Sequence, residues 1–323
     1  MNLYYTDHFE LPLPASHRFP MDKYRRLRRH VVGSEEHRND ALLVPPAASD
    51  AQLSLCHDRT YVSRVASGQL SDAEIRRIGF PWSPKMVERS RRSTGATIAA
   101  ARAAMTQRIS ANLAGGTHHA FADAGEGYCV FNDAAVAIRV LQQEGIIERA
   151  CVIDLDVHQG NGTASILAGD DSAITLSIHG VKNFPLRKVP SDLDIALPDG
   201  TGDDAYAEAV ERALGELDAV MKASARFDLA IYLAGADPYA GDRLGRLDLT
   251  FEGLSRRDSI VLEWCTRRRI PLAIAMAGGY ANEIDDIVRI HAQTLKLATS
   301  SCDRQVENRI DESTGAAYDK SSG

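Results

Sequence analysis

Cysteine is scarce and scattered. The 323-residue chain holds five, Cys56, Cys129, Cys151, Cys265 and Cys302, and no CxxC pair. That argues against a disulfide framework and against a cysteine-rich zinc site; reduced thiols in a cytoplasmic protein are the expectation. The opening residues, Met1-Asn2-Leu3-Tyr4-Tyr5-Thr6-Asp7, lack the basic flank and apolar run of a secretory signal. No apolar stretch has the length needed to span a bilayer. Positive charge is in deficit: 37 Lys and Arg face 44 Asp and Glu, for a formal net charge of −7. A nucleic-acid partner is therefore not expected, because such affinity rests largely on neutralising phosphates. The basic clusters at Arg25–Arg29 and Arg267–Arg269 read as solvated helix faces. Internal repeats and long low-complexity tracts are missing as well.

What is present is an ordinary globular composition, 44% hydrophobic and 25% charged, with enough apolar material for a large core. No break forces two domains. Residues 1–300 read as a single domain and 301–323 as a polar, loosely held tail. Four short, nearly continuous apolar runs begin at Cys151, Ala173, Leu229 and Leu272. Such runs are expected of strands covered on both faces. Helical segments alternate with them, at about Asp133–Glu144, Asp204–Ala225, Leu254–Arg268 and Asn282–Leu297. The alternation predicts a single α/β domain, a mostly parallel sheet flanked by helices on both faces. Ligands of such sheets bind at the carboxyl ends of the strands, and there His158, His179, Asp237 and Tyr280 follow the four runs in turn.

The sharpest local pattern is Asp154-Leu155-Asp156-Val157-His158-Gln159-Gly160-Asn161-Gly162. In extended chain, Asp154, Asp156 and His158 project to one side. Two carboxylates and an imidazole crowded there call for a divalent cation or for a network of hydrogen bonds at a polar strand end. Asp237 ends another apolar run, where it is either a third ligand that leaves a position open for water and substrate or a helix N-cap. Gly115-Gly116-Thr117-His118-His119 offers an acid–base pair or further ligands, beside glycines that admit close backbone approach. Ala277-Gly278-Gly279-Tyr280 either brings a phenol to the rim of the site or forms a tight turn with a packed aromatic ring.

Taken together and in this order, Gly116–His119, Gly127-Tyr128-Cys129-Val130-Phe131-Asn132-Asp133, Asp154–Gly162, Gly235-Ala236-Asp237 and Gly278–Tyr280 resemble the histone deacetylase-like family of the arginase/deacetylase fold. The resemblance runs from about His17 to His291. It is most similar to class IV-like members through His158–Gly162, Gly241-Asp242-Arg243-Leu244-Gly245 and Gly79-Phe80-Pro81-Trp82-Ser83. It implies Zn2+, one per chain, on Asp156, His158 and Asp237, His118 and His119 as the acid–base histidines, and Tyr280 as the transition-state phenol. It implies Asp154 behind His118 and Asn161 behind His119. Gly127, Tyr128 and Leu244 would line the acyl-lysine tunnel, and Arg18 an inner cavity from which the acid leaves. A structural K+ would lie near Asp154, Asp156, His158 and Ser177. Loops around Phe80-Pro81-Trp82 and Leu186-Arg187-Lys188 would shape the entrance.

The implied function is zinc-dependent removal of an acyl group from the ε-amine of lysine in a protein or peptide. The alternative within the same chemistry is an acylated polyamine or other small amide. An arginase-like binuclear manganese hydrolase shares the fold, but Asn161 replaces one bridging carboxylate and Pro238-Tyr239 follows Asp237 where an Asp-x-Asp pair is needed. A non-catalytic acyl-binding scaffold would call for a damaged site, and the sequence shows none.

Overall fold

A computed structural model describes the backbone of residues 1–14 and 16–318 and the side chains of 1–14 and 16–302. Eight strands form one sheet: β1 (Asn2–Tyr4), β2 (Ala41–Leu43), β3 (Ile109–Asn112), β4 (Ala150–Asp154), β5 (Ala173–Gly180), β6 (Leu193–Leu197), β7 (Leu229–Leu233) and β8 (Leu272–Ala275). Their order is β2-β1-β3-β8-β7-β4-β5-β6, and every pairing is parallel. The expected sheet is therefore observed, and the four apolar runs are β4, β5, β7 and β8.

Alternation along each central strand feeds two cores. Cys151 and Ile153 of β4 enter the core on one face, with Ala230 and Tyr232 of β7 and Leu272 and Ile274 of β8. Ala150 and Val152, with Leu229, Ile231, Leu233, Ala273 and Ala275, enter the other. This double burial is why the runs of β4, β7 and β8 are nearly continuous in apolar residues, while β5 alternates apolar Ile174, Leu176 and Ile178 with buried Thr175, Ser177 and His179. The remaining strands differ. β6 alternates between half-buried and exposed positions up to its buried Leu197, and β2, apolar but only three residues long and mostly exposed, lies at the opposite edge.

Helices at Asp133–Gln143, Asp203–Ala223 and Phe251–Arg267 match expectation to within a few residues at each end. The last helix is longer, Ile284–Tyr318. Its buried positions continue at Leu295, Ala298 and Cys302, a spacing that keeps one face on the core, and Thr299 donates to Asp40 at 2.8 Å. Ser301 and Cys302 are thus packed, although the expected tail began at 301; residues 319–323 lie outside the described residues. No helix among the described residues is long and apolar enough to cross a membrane.

Candidate metal centre and active site

β3, β8, β7 and β4 are adjacent in the sheet, so the loops that follow their carboxyl ends meet above one patch. The loop after β4 carries Asp156 and His158, the loop after β7 carries Asp237, the loop after β8 carries Tyr280, and the loop after β3 carries His118 and His119. All six side chains are buried.

Asp156, His158 and Asp237 each offer a ligand atom, all within 4.8 Å of one another. His158 Nδ1 lies 3.0 Å from Asp156 Oδ1 and 3.2 Å from Asp237 Oδ2. The outer oxygens are held from behind: Gly278 N donates to Asp156 Oδ2 at 2.8 Å and Val157 N to Asp237 Oδ1 at 3.0 Å. Asp237 Oδ2 is buried without a hydrogen-bond donor. An orphaned carboxylate oxygen beside a second carboxylate and an imidazole is the donor set a divalent cation satisfies. The backbone keeps this space open, because a Cβ on Gly278 would stand 2.0 Å from Asp237 Oδ2 and 2.4 Å from Asp156 Oδ2. The charges show the same need. Burial, reinforced by the charge of Asp156, pushes the Asp237 carboxyl up to about 7. Burial works against the His158 cation, yet the Asp156 and Asp237 carboxylates beside it drive it up to about 10.

The two neighbouring histidines are driven apart. His118 Nδ1 lies 2.7 Å from Asp154 Oδ2; a carboxylate only accepts, so Nδ1 carries the hydrogen. Burial disfavours the His118 cation, but the charges of Asp154 and Asp156 outweigh it and raise the group to about 9. Burial also raises Asp154 while His118 draws it back, as in a pair that shares one proton. His119 Nδ1 lies 2.7 Å from Asn161 Oδ1. Burial, then the charges of His118 and His158, hold His119 well below the ordinary imidazole range. Neighbouring groups with opposed shifts are the usual sign of divided acid and base roles. Above them Tyr280, buried beside Asp237 and Asp156, has its phenol held well above the usual value by burial and then by those charges. It stays neutral and able to donate.

Several supports have no role assigned to them from the sequence, although Asp133 and Asp242 lie inside the motifs Gly127–Asp133 and Gly241–Gly245. Asp133, fully buried, accepts from Gly116 N (2.9 Å), Thr117 N (2.7 Å), Thr117 Oγ1 (2.7 Å) and Thr97 Oγ1 (2.6 Å), and so fixes the histidine loop. Arg257, also fully buried, donates to Gly235 O at 2.6 Å under the Asp237 loop. Lys23 donates to Ala277 O and Gly279 O, each at 3.3 Å, and its ammonium lies 5.4 Å from the Tyr280 ring centre. Its spacing was a signal: Lys23, Leu27 and Val31 share the buried face of the helix Lys23–Val32. Asp242 accepts from Tyr280 N, Leu244 N and Gly245 N, tying the tunnel wall to the phenol.

Gly127, Tyr128 and Leu244 line an outer vestibule of about 600 Å³ that opens onto His119, His158 and Tyr280. Gly127 and Tyr128 both hold positive φ, 54° and 66°. The strain at Tyr128 is held by hydrogen bonds from Gly127 N to Arg77 O and from Tyr128 N to Ile78 O. The opposite wall is Phe184, edge-on to His119 at 4.8 Å between ring centres; sequence reasoning missed it and looked to Leu186–Lys188 nearby. Phe80 is buried behind Tyr128 and Trp82 donates to Val65 O, so that segment backs the wall from inside.

Arg18 needs correction. Its side chain is exposed and lines no inner cavity; Phe19 and Lys23, on the same turn, point inward instead. The inner cavity, about 40 Å³, takes in the Asp156, His158, Asp237 cluster and both histidines and extends to Phe19, Tyr24 and, from the helix Pro84–Gln107, Arg89 and Ser93. Ser177 pairs in register with Asp154 between β4 and β5, and its Oγ lies 3.0 Å from His179 Nδ1. His179 lies inside β5 and does not join the cluster.

Comparison with known proteins gives a consistent picture. The family model of the histone deacetylase domain matches residues 17–295. An uncharacterised protein of Picosynechococcus sp. is 41% identical over 290 residues, 90% of this chain and 95% of its own. The histone deacetylase-like amidohydrolase of Pseudomonas aeruginosa is 30% identical over 84% of this chain and 74% of its own. Among solved structures, an HDAC homologue complexed with SAHA superposes with a TM-score of 0.76 at 22% identity, covering 92% of this chain and 83% of that one.

Proposed function

Because the chain belongs to the histone deacetylase domain family, we propose that it is a zinc-dependent amidohydrolase that removes an acyl group from the ε-amine of lysine. The observation that carries this reading is the orphaned Asp237 Oδ2, set with Asp156 and His158 directly beside the divided histidine pair. When held by Asp156, His158 and Asp237, zinc supplies Lewis acidity at the amide carbonyl and lowers the pKa of water.

The chain's own groups do the rest. His119, its Nδ1 hydrogen committed to Asn161, has a free Nε2 lone pair to take the proton of the attacking water and pass it to the leaving nitrogen. His118 keeps its proton against Asp154 and acts through charge. Tyr280 donates from its hydroxyl to the carbonyl oxygen as negative charge grows there. Tyr128 and Phe184 clasp the aliphatic stem and exclude water, and the released acid faces Arg89 in the inner cavity. Asn161 and Gly241–Gly245 support the class IV-like placement. K+ would sit beside Asp154, Asp156, His158 and Ser177, and the scattered cysteines support a cytoplasmic setting. Binuclear manganese chemistry finds too few carboxylates: only Asp156, His158 and Asp237 form a metal-competent group among the described residues.

The test is deacylation of acetyl-, butyryl-, octanoyl- and myristoyl-lysine peptides and acetylspermidine, with bound metal measured by mass spectrometry. Turnover that is lost in Asp156→Ala, with one zinc per chain in the wild type, supports the reading. Inactivity of zinc-loaded protein on every substrate, or two tightly bound divalent ions per chain, overturns it.

A further inference from the structure

The mouth of the site contradicts the charge of the whole molecule. Against a net charge of −7, the outer vestibule is lined by four cations, Arg76, Arg77, Lys182 and Arg246, and one carboxylate, Glu126. All four cations are exposed. They come from three separate segments: the C-terminal turn of the helix Asp72–Ile78, the loop after β5 and the loop after β7. Arg77 pairs with Glu126 at 3.2 Å, while Lys182 and Arg246 share a single partner, Asp199, at 3.5 and 3.4 Å. Arg76 has no ion pair among the described residues. Four cations against Glu126 and Asp199 leave two positive charges in excess around the opening. In the same loop as Lys182, Val181, Phe184 and Leu186 expose 48%, 38% and 93% of their surface, which adds apolar contact to the charged rim.

We propose that this rim selects an acyl-lysine carried on an acidic polypeptide segment, with Asp or Glu at the positions flanking the lysine. The inference rests on the lysine deacylase reading and narrows it. A lysine stem inserted between Tyr128 and Phe184 leaves its Cα at the mouth. Residues one and two places away then lie within about 3.3–7 Å along an extended chain, over the rim cations. Complementary charge there acts on encounter and on register more than on raw affinity. The same rim disfavours acylated polyamines, whose remaining ammonium groups would face Arg76 and Arg77, and lysine-rich segments for the same reason. An excess of two charges is too small to hold a phosphate backbone, where several contacts are needed for useful affinity.

The experiment compares three acyl-lysine peptides of one length, with Asp/Glu, Ser/Gly or Lys/Arg at the two positions on each side, using the zinc-loaded full chain. Turnover and fluorescence-anisotropy binding of the same labelled peptides are measured in parallel. The acidic peptide is expected to lead the basic one about tenfold in kcat/KM at low salt, with the difference shrinking to about twofold or less near 0.5 M salt. In the double variant Arg76→Glu/Arg246→Glu the order of the acidic and basic peptides should reverse, a crossed outcome that general loss of folding does not produce. Equal turnover of all three peptides at low salt overturns the proposal while leaving the deacylase reading intact. Absence of turnover overturns the deacylase reading, and anisotropy then decides the rim: acidic-selective, salt-sensitive binding sustains it, and indifferent binding removes it.

Discussion

Asn161 stands between two partners, and its orientation decides whether His119 can act as a base. Its Oδ1 lies 2.7 Å from His119 Nδ1, and its Nδ2 donates to Glu126 Oε2 at 3.3 Å. The carboxylate of Glu126 only accepts, so it holds the NH2 end of the amide and turns the oxygen toward His119. His119 must then place its hydrogen on Nδ1 and leave Nε2 free for the water. Replacing Glu126 by Lys inverts the selection. An ammonium attracts the amide oxygen, the NH2 end swings to His119 Nδ1, and the hydrogen moves to Nε2, the wrong tautomer for a base. A charge-assisted hydrogen bond is worth about 1.5–3 kcal/mol; at 3.3 Å, with the Glu126 side chain 20% exposed, about 1–1.5 kcal/mol is a fair share, so Glu126→Lys is expected to lose about tenfold in kcat. Asn161→Asp alone sets a second carboxylate against Glu126, where two unit charges about 4 Å apart repel by up to about 4 kcal/mol at a near-surface effective dielectric. It should therefore bind a proton at neutral pH and also lose activity. The double variant Glu126→Lys/Asn161→Asp restores a donor–acceptor–donor series: the introduced ammonium donates to the introduced carboxylate, which accepts in turn from His119 Nδ1. It should recover most of the rate. The assay is kcat on a small uncharged acetyl-lysine substrate, which avoids the rim, with metal content measured for each variant and the His119 tautomer read from ring 15N shifts. A double variant no better than the poorer single variant, or two singles at wild-type rate, would refute the orientation argument.

Other consequences can be checked more simply. Tyr280→Phe removes one donor to the developing oxyanion and should reduce kcat about 100- to 1,000-fold while mass spectrometry still finds the metal; near-wild-type turnover would contradict the assigned role. Lys23→Met strands Ala277 O and Gly279 O, each at a cost of about 1–3 kcal/mol, and should lower both the melting temperature and kcat, whereas an unchanged kcat would show that the turn holds itself. His57, buried between Phe121 O and Asn132 N, is pulled by burial from 6.5 down to about 4. The unfolded chain binds this proton first, so the stability it contributes is complete above pH 6.5 and about 3 kcal/mol is lost as pH falls toward 4. The acid limb of stability should be correspondingly flatter in His57→Gln, and identical limbs in wild type and variant would discard the assignment. The inner cavity of about 40 Å³ has room for only a few waters, so acetyl-lysine should outrun octanoyl-lysine about tenfold or more, and Arg89→Ala should narrow that gap.

The parts of this chain legible in its sequence are those where one physical demand writes one pattern. A strand covered on both faces is apolar along most of its length, as β4, β7 and β8 are up to the polar end of β4, whereas β5 keeps Thr175, Ser177 and His179 buried between its apolar residues. The loops after three of them carry Asp156, His158, Asp237 and Tyr280, so the sequence alone places these four side chains at one edge of the sheet. The edge strands were illegible because an alternation over three to five mostly half-exposed residues is too short to stand out. The final helix was cut short because Ser300 to Cys302 read as polar, although Cys302 still faces the core.

Arg18 failed for a different reason, and the failure shows where motif reading ends. A motif states which residues lie near a site but does not say which way each one points. On the turn His17–Lys23, adjacent side chains diverge: Arg18 turns to solvent, Phe19 packs under Tyr280, and Lys23 reaches Ala277 and Gly279. The inner cation facing the cavity comes from Arg89, about 70 residues along the chain, on a helix whose buried face a sequence reading had no reason to associate with the site. The rim follows the same logic. Arg76, Arg77, Lys182 and Arg246 are unremarkable singly, lie on separate segments, and are outvoted in the net charge of −7. Only the convergence of those segments turns four scattered cations into a local field, and substrate preference depends on that field, not on the total.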